Sequence, residues 1–318
     1  MIRTATHRML CRRLASSAAA SAAAATAPAA DVSPDHTLHN APIPPGDAST
    51  TDFGFSRVPV EQKADLVAEV FHRVASKYDI MNDIMSLGTH RLWKTRFVSN
   101  LALSELSRSS CPMHILDVAG GTGDIAFRCI EELSRWSTVS VLQPRLSHRV
   151  TICDINQSML DIGKRRATSL GYLSPQSPVQ PSFLCADAQS LAMIPDASVD
   201  LYTIAFGLRN VTDKKAALAE AHRVLRPGGR FMCLEFSHVE QSMLSQLYDL
   251  WSFHCIPLMG QLVAADRASY QYLVESIRQF PTQADLADMI RRAGFSNVTW
   301  QNLSGGIVAI HSGYKPGP

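Results

Sequence analysis

The chain has 318 residues and a formal net charge of +2, a length that suits one α/β domain with additions. Apolar residues make up 46% of it, enough for a full core. Arg3, Arg8, Arg12 and Arg13 lie in the first 30 residues, and without them 26 basic residues face 28 acidic ones, which excludes the strongly basic footprint of a nucleic-acid binder. The seven cysteines form no C-x-x-C pair, which argues for reduced thiols and against a metal cluster. No apolar run reaches the length of a membrane span.

Residues 1–30 contain no Asp or Glu and combine four arginines with long Ser and Ala tracts. This is the composition of an organellar transit peptide, and no Leu-rich centre suggests a secretory signal instead. The residues alone leave mitochondrion and plastid both open. Residues 31–54, rich in Pro, Ser, Thr, Asp and Gly, read as a disordered linker, and residues 55–318 as the folded domain. A helix is predicted from Pro59, with Val67, Val70, Phe71 and Val74 at helical spacing. It leads into Tyr78-Asp-Ile-Met-Asn-Asp-Ile-Met-Ser86, then His90 and Trp93, a helical addition that precedes the core and is placed to cover a site.

The stretch from Met113 to Asp124 organises the chain. Ile115, Leu116 and Val118 form the short apolar run of a buried parallel strand. Gly120, Gly121 and Gly123 permit a tight turn, and helical periodicity resumes at Ile125, Ala126, Cys129 and Ile130. Strand, glycine turn and helix N-terminus make a site for a nucleotide-like ligand. Asp154 ends a second strand, Val150 to Asp154, where a carboxylate can accept from both hydroxyls of a ribose. Asp187 ends a third predicted strand, Phe183 to Asp187, where it can accept from an exocyclic adenine amine. Either acid alone reads better as a mere strand end; with Asp117, three successive strands end in an acid, which favours a site.

Trp136 to Arg149 reads as a surface insertion, Gln157 to Leu170 as a helix and Tyr172 to Pro181 as loop. A fourth strand, Val199 to Phe206, runs into Gly207-Leu-Arg209-Asn210, a cation and an amide at the mouth of the site. An Arg just after a buried strand must be paired or hydrogen-bonded, so it either braces loop carbonyls or serves the site. Asp213 to Leu225 is a helix with Asp213 near its positive end. Arg226 to Gly229 turns the chain into a fifth strand, Arg230 to Ser237. Met243 to Val263 is apolar and aromatic; it reads as a helix packed on the sheet edge, or as a greasy channel or membrane-facing patch. A last helix carries Leu286, Met289 and Ile290, and Asn297 to Asn302 with Ile307 to Ser312 form a terminal hairpin. Alternating strands and helices before a hairpin predict a mostly parallel sheet with one antiparallel strand.

A dinucleotide fingerprint would read G-x-G-x-x-G. The order here, Asp117-x-Ala-Gly-Gly-Thr-Gly, instead resembles the first motif of class I S-adenosylmethionine-dependent methyltransferases. The pattern Tyr78-Asp-x-Met-Asn-x-x-Met-Ser-x-x-x-His-x-x-Trp93 is similar to the first signature of the ubiquinone/menaquinone-biosynthesis C-methyltransferase family. Phe206-Gly-x-Arg-Asn210, the run from Arg223 through Glu235 and Ser237, and Tyr270 to Pro281 resemble the same family, with Arg226 where Lys is usual and Ala205 where bacterial members carry Ser.

That resemblance implies a Rossmann-like class I fold with a mostly parallel seven-stranded sheet, an N-terminal helical addition and a helical insertion after the fifth strand. It implies S-adenosyl-L-methionine as cofactor, with Gly121 and Thr122 against the methionine part, Asp154 on the ribose, and Asp187 with Ala188 at the adenine. It implies catalytic places for Arg209 and Asn210 and a substrate-facing place for Tyr78. The implied substrate is 2-methoxy-6-polyprenyl-1,4-benzoquinol, whose tail would use the apolar Met243–Val263 segment. The implied partners are other ubiquinone-biosynthesis proteins in a multi-enzyme complex, in peripheral contact with the matrix side of the mitochondrial inner membrane; a homodimer is compatible with it. A nicotinamide dehydrogenase is disfavoured by the glycine order. A catalytically weak methyltransferase-fold scaffold of that complex is the alternative.

Overall fold

The computed structural model describes residues 49–74, 82–83, 85–103, 112–137, 148–177, 179–239, 250–261 and 266–317, without the side chains of residues 71–74. The transit peptide, most of the linker, Tyr78 and residues 243–249 lie outside them. A hairpin of β1 (Thr50–Phe53) and β2 (Ser56–Pro59) opens the described chain. The linker expected over residues 31–54 therefore ends sooner than its composition suggested: Arg57 bonds Asp52 and Thr50 across the hairpin, and Phe53 stacks on Tyr272 at 4.3 Å. Polar contacts within the hairpin and one aromatic contact from far along the chain hold this segment in place.

Helix α1 (Val60–Val74) follows, then α2 (Thr89–Asn100), β3 (His114–Val118), α3 (Asp124–Ser137), β4 (His148–Asp154), α4 (Gln157–Ser169), β5 (Val179–Cys185) and β6 (Val199–Ala205). After these come α5 (Lys214–Val224), β7 (Leu225–Phe236), α6 (Ile256–Met259), α7 (Arg267–Arg278), α8 (Gln283–Arg292), β8 (Ser296–Leu303) and β9 (Val308–Tyr314). The large sheet has seven strands in the order β5-β4-β3-β6-β7-β9-β8. β9 runs antiparallel to both of its neighbours and the other pairings are parallel.

The inner strands are buried on both faces, with side chains alternating between two cores. Ile115, Ile152, Leu201 and Met232 face one core with Phe97 of α2 and Ile130 and Leu133 of α3. Leu116, Cys153, Tyr202 and Phe231 face the other with Leu218 of α5 and Leu286 and Ile290 of α8. Asn156 starts α4 by accepting from the amides of Ser158 and Met159, and Asp213 starts α5 by accepting from those of Lys215 and Ala216.

Three expectations change. β5 begins at Val179, inside the predicted loop, and contains Pro181; as the edge strand it tolerates a residue with no amide to donate. It also ends at Cys185, so Asp187 lies beyond the strand, in an isolated bridge with Ser190. The described part of the apolar segment, residues 250–261, does not pack on the sheet edge. Ile256 clusters with Tyr270 and Val274 of α7, and the Trp251 indole donates to Met85 O at 3.1 Å. Apolar side chains of α7, Tyr270 and Val274, take up this segment's apolar face instead. Among the described residues no helix is long and apolar enough to cross a membrane.

Candidate active site

Two cavities open at the carboxyl ends of the parallel strands. The first is the more polar of the two and is built on the turn after β3. Gly121 and Gly123 sit at φ of +54° and +86°, left-handed values that suit glycine. Gly120 lies over the strand: a Cβ there would come within 2.9 Å of Asp117 Oδ2. Ala119 and Phe206, just past β3 and β6, both take left-handed φ although neither is glycine. Gly207 fits between them, since a Cβ on it would meet Ala119 Cβ. Strained backbone of this kind persists where the surroundings over-determine it, typically at functional sites.

Asp154 borders this cavity and holds the turn. Its Oδ2 accepts from Gly121 N at 2.8 Å and its Oδ1 from Asn156 N at 2.8 Å. Each oxygen keeps a second lone-pair direction for a ligand. Burial raises its pKa, and the backbone donors oppose that rise. Thr122 also borders the cavity, its hydroxyl accepting from Arg166 at 2.9 Å. Asp187 and the buried Ala188 form another wall. Gln189 bonds both oxygens of Asp187 through its side-chain amide and accepts from Asp213 N, so the acid is set in place from two directions. The structure thus brings Gly121, Thr122, Asp154, Asp187 and Ala188 together around one cavity. Ala205 is on its wall as well and presents only a methyl group.

Asp117 lies at the floor. Register places it opposite Thr203, whose hydroxyl donates to Oδ1 at 2.7 Å, while Oδ2 has no hydrogen-bond partner among the described residues. Burial pushes its pKa up to about 7.

The second cavity is lined mainly by apolar and aromatic groups, among them Trp93, Phe206, Phe236, Trp251, Tyr272 and Ile277. Trp93 meets Phe236 edge to face and donates its indole N–H to Ser304 Oγ. Arg209 and Asn210 border it, but Arg209 is no free cation. It is buried and paired with Glu235 at 2.9 Å, bonds Phe206 O, and lies over the Phe236 ring. Its amide also donates to Glu235 Oε2. Glu235 therefore largely balances its charge and locks the loop. Asn210 Oδ1 accepts from the Tyr272 hydroxyl at 3.1 Å. Burial pushes that phenol up to about 12.

Sequence reasoning did not single out Glu235 as the partner of Arg209, nor Lys94 as a cavity residue. A Glu within the apolar strand β7 was a usable signal, because a buried carboxylate needs a partner. His90 bonds Asp83 at 2.7 Å and borders the apolar cavity; burial lowers its pKa, which keeps the imidazole neutral near pH 7. Among the described residues no cluster of His, Cys, Asp and Glu is placed to hold a metal ion.

A glycine turn after the first sheet strand, acids after the next two, and this strand order define a class I S-adenosylmethionine-dependent methyltransferase. The chain belongs to the ubiE/COQ5 methyltransferase family, which it matches over residues 58–315. The mitochondrial 2-methoxy-6-polyprenyl-1,4-benzoquinol methylase of Oryza sativa subsp. japonica is 48% identical over 290 residues, covering 89% of this chain and 94% of the relative. The Drosophila melanogaster protein of the same name is 51% identical over 271 residues, covering 85% and 86%. The ubiquinone/menaquinone biosynthesis C-methyltransferase UbiE of a Bradyrhizobium strain is 51% identical over 266 residues, covering 84% and 97%.

The raised pKa of Asp117 has a consequence for stability. The folded chain holds this proton across roughly pH 4 to 7 and the unfolded chain does not, so the group's contribution falls as pH rises through that window. In Asp117→Asn that slope should disappear, with a gain on the order of 2–4 kcal/mol relative to wild type on passing from about pH 4 to 8. Urea unfolding of both ligand-free proteins across pH checks this, and parallel slopes would contradict a protonated Asp117.

Proposed function

We propose that the chain methylates a ring carbon of 2-methoxy-6-polyprenyl-1,4-benzoquinol in ubiquinone synthesis. The observation that carries this reading is the meeting of the two cavities: Lys94, Phe206 and Asn210 border both, so a polar nucleoside site and an apolar aromatic site share one boundary. The substrate identity is supported by the names of the rice and fly relatives.

S-adenosylmethionine, when bound, supplies an electrophilic methyl group on a sulfonium. The chain's own residues bind, orient and exclude water. Asp154 holds the ribose hydroxyls, Asp187 and Ala188 the adenine, and Gly121 with Thr122 the methionine part. The ring carbon of a quinol becomes nucleophilic as an adjacent hydroxyl loses its proton, and an unperturbed phenol has a pKa of about 10. A donor aimed at the developing phenolate lowers that barrier. Asn210 suits this place: Tyr272 occupies its carbonyl oxygen, and its amide N–H group makes no hydrogen bond among the described residues. Arg209, its charge balanced by Glu235, acts as orienter through its planar fork and is a poor direct base. Tyr78, outside the described residues, remains the proposed substrate contact from the helical addition. Most of the acceleration comes from positioning, which can supply about 7–11 kcal/mol.

The chain acts in the mitochondrion on this reading, supported by the acid-free leader and by relatives named as mitochondrial. Peripheral contact with the matrix side of the inner membrane and assembly with other ubiquinone-synthesis proteins are part of the same proposal, as the family resemblance implies. A scaffold without activity is the weaker reading, because the cofactor-loop residues are intact and gathered.

Asp154→Ala should weaken S-adenosylmethionine binding by about 1.5–3 kcal/mol, the range for a hydrogen bond to a charged group; calorimetry showing unchanged affinity in a folded variant rejects the ribose assignment. Arg209→Lys and Arg209→Ala should each lower single-turnover methylation of a short-tailed quinol analogue by about 2.7–4 kcal/mol of barrier, with cofactor affinity nearly unchanged. Because either change breaks a buried pair, turnover is measured on the folded fraction. Near-normal turnover of the Lys variant would leave Arg209 as a loop brace only. Residues 1–30 fused to a fluorescent protein should carry it into mitochondria, and a cytosolic or plastid signal would reject the compartment.

A further inference from the structure

Lys94 is buried on α2, yet its ammonium reaches Asp124 Oδ2 at 2.6 Å, at the first residue of α3 and just past the glycine turn. Both residues border the nucleoside cavity, and Lys94 also borders the apolar one. Arg128 binds the other oxygen of Asp124 at 3.0 Å. Two cations thus face one carboxylate, leaving a local surplus of positive charge beside the N-terminus of α3, where an anion is favoured. Lys94 and Arg128 outweigh the upward pull of burial and hold the Asp124 pKa below its ordinary value, so the acid is ionised. The ammonium makes no further hydrogen bond among the described residues, and each Asp124 oxygen keeps a lone pair. A partly exposed pair of this kind does little for stability on its own.

The reacting methyl must sit where the two cavities meet, and the amino-acid arm of the cofactor hangs from the same sulfur. That arm ends in an α-carboxylate and an α-ammonium, a charge pair of the opposite order to Lys94 and Asp124. We propose that Lys94 and Asp124 clamp this zwitterion, Lys94 Nζ donating to the α-carboxylate and Asp124 accepting from the α-ammonium. The inference rests on the reading of the polar cavity as the cofactor site. It gives the helical addition a direct hand in cofactor binding: α2 carries the cation that the α-carboxylate needs, and the same residue closes the edge of the substrate cavity.

The test is titration calorimetry on the full chain with S-adenosylhomocysteine, its decarboxylated analogue, and 5′-methylthioadenosine, which lacks the whole amino-acid arm. Wild type should bind S-adenosylhomocysteine about tenfold to hundredfold more tightly than the decarboxylated analogue, the range for a hydrogen bond to a charged group. Lys94→Met should erase that difference while leaving 5′-methylthioadenosine affinity within about twofold. Wild type binding both homocysteine ligands alike overturns the clamp without any variant being needed. So does a Lys94→Met variant that weakens S-adenosylhomocysteine and 5′-methylthioadenosine equally. If wild type binds neither S-adenosylhomocysteine nor 5′-methylthioadenosine, the cofactor reading falls, and the clamp with it.

Discussion

The buried ion pair between Arg209 and Glu235 anchors the loop that the two cavities share as their boundary. A charge removed from water is tolerable only when paired, and stripping one partner from such a pair costs about 3–5 kcal/mol. Here the pair joins the loop after β6 to the end of β7, and the same guanidinium also ties down Phe206 O. Phe206 and Asn210, on either side of Arg209, are on the walls of both cavities. One buried charge pair thus fixes the residues between which a methyl group would pass. Arg209 earns its place first as architecture, and any catalytic part it plays is exercised from that fixed position.

The backbone around this pair is held under strain. Ala119 and Phe206 take left-handed conformations at adjacent strand ends, and Gly207 is small enough to let them approach. The parallel pairing of β3 with β6 brings these two turns side by side. Packing on both faces of the sheet supplies the energy that keeps them there. What results is a floor made largely of backbone and short side chains.

The rest of the enclosure comes from elements outside the sheet. α2 contributes Trp93 and Lys94, α7 contributes Tyr272 and Ile277, and the β1–β2 hairpin lays Phe53 against Tyr272. These pieces lie far apart in the chain and converge over the strand ends, where a doubly wound sheet leaves its crevice. The division of labour is physical. The sheet edge offers dipoles, acids and a glycine turn, suited to a polar nucleoside. The added helices offer aromatic and aliphatic surface, suited to a quinol and its tail.

The elements that local patterns encode were legible in the chain alone. A run such as Ile115 to Val118, three glycines and a resumed helical period specify strand, turn and helix through backbone preference and side-chain spacing, which act over a few residues. Asp154 was readable for the same reason, as an acid at the end of a strand, and it does hold the turn. Asp187 was readable as an acid facing the same edge, though its strand stops two residues earlier, at Cys185, a boundary set by pairing with β4 rather than by propensity. Partners were not legible. Many acids could have satisfied Arg209 or Lys94, and only closure of the fold chose Glu235 and Asp124. Tertiary structure likewise decided that the segment around Ile256 covers α7 and not the sheet edge, since an apolar face specifies that it be buried and says nothing about which surface buries it.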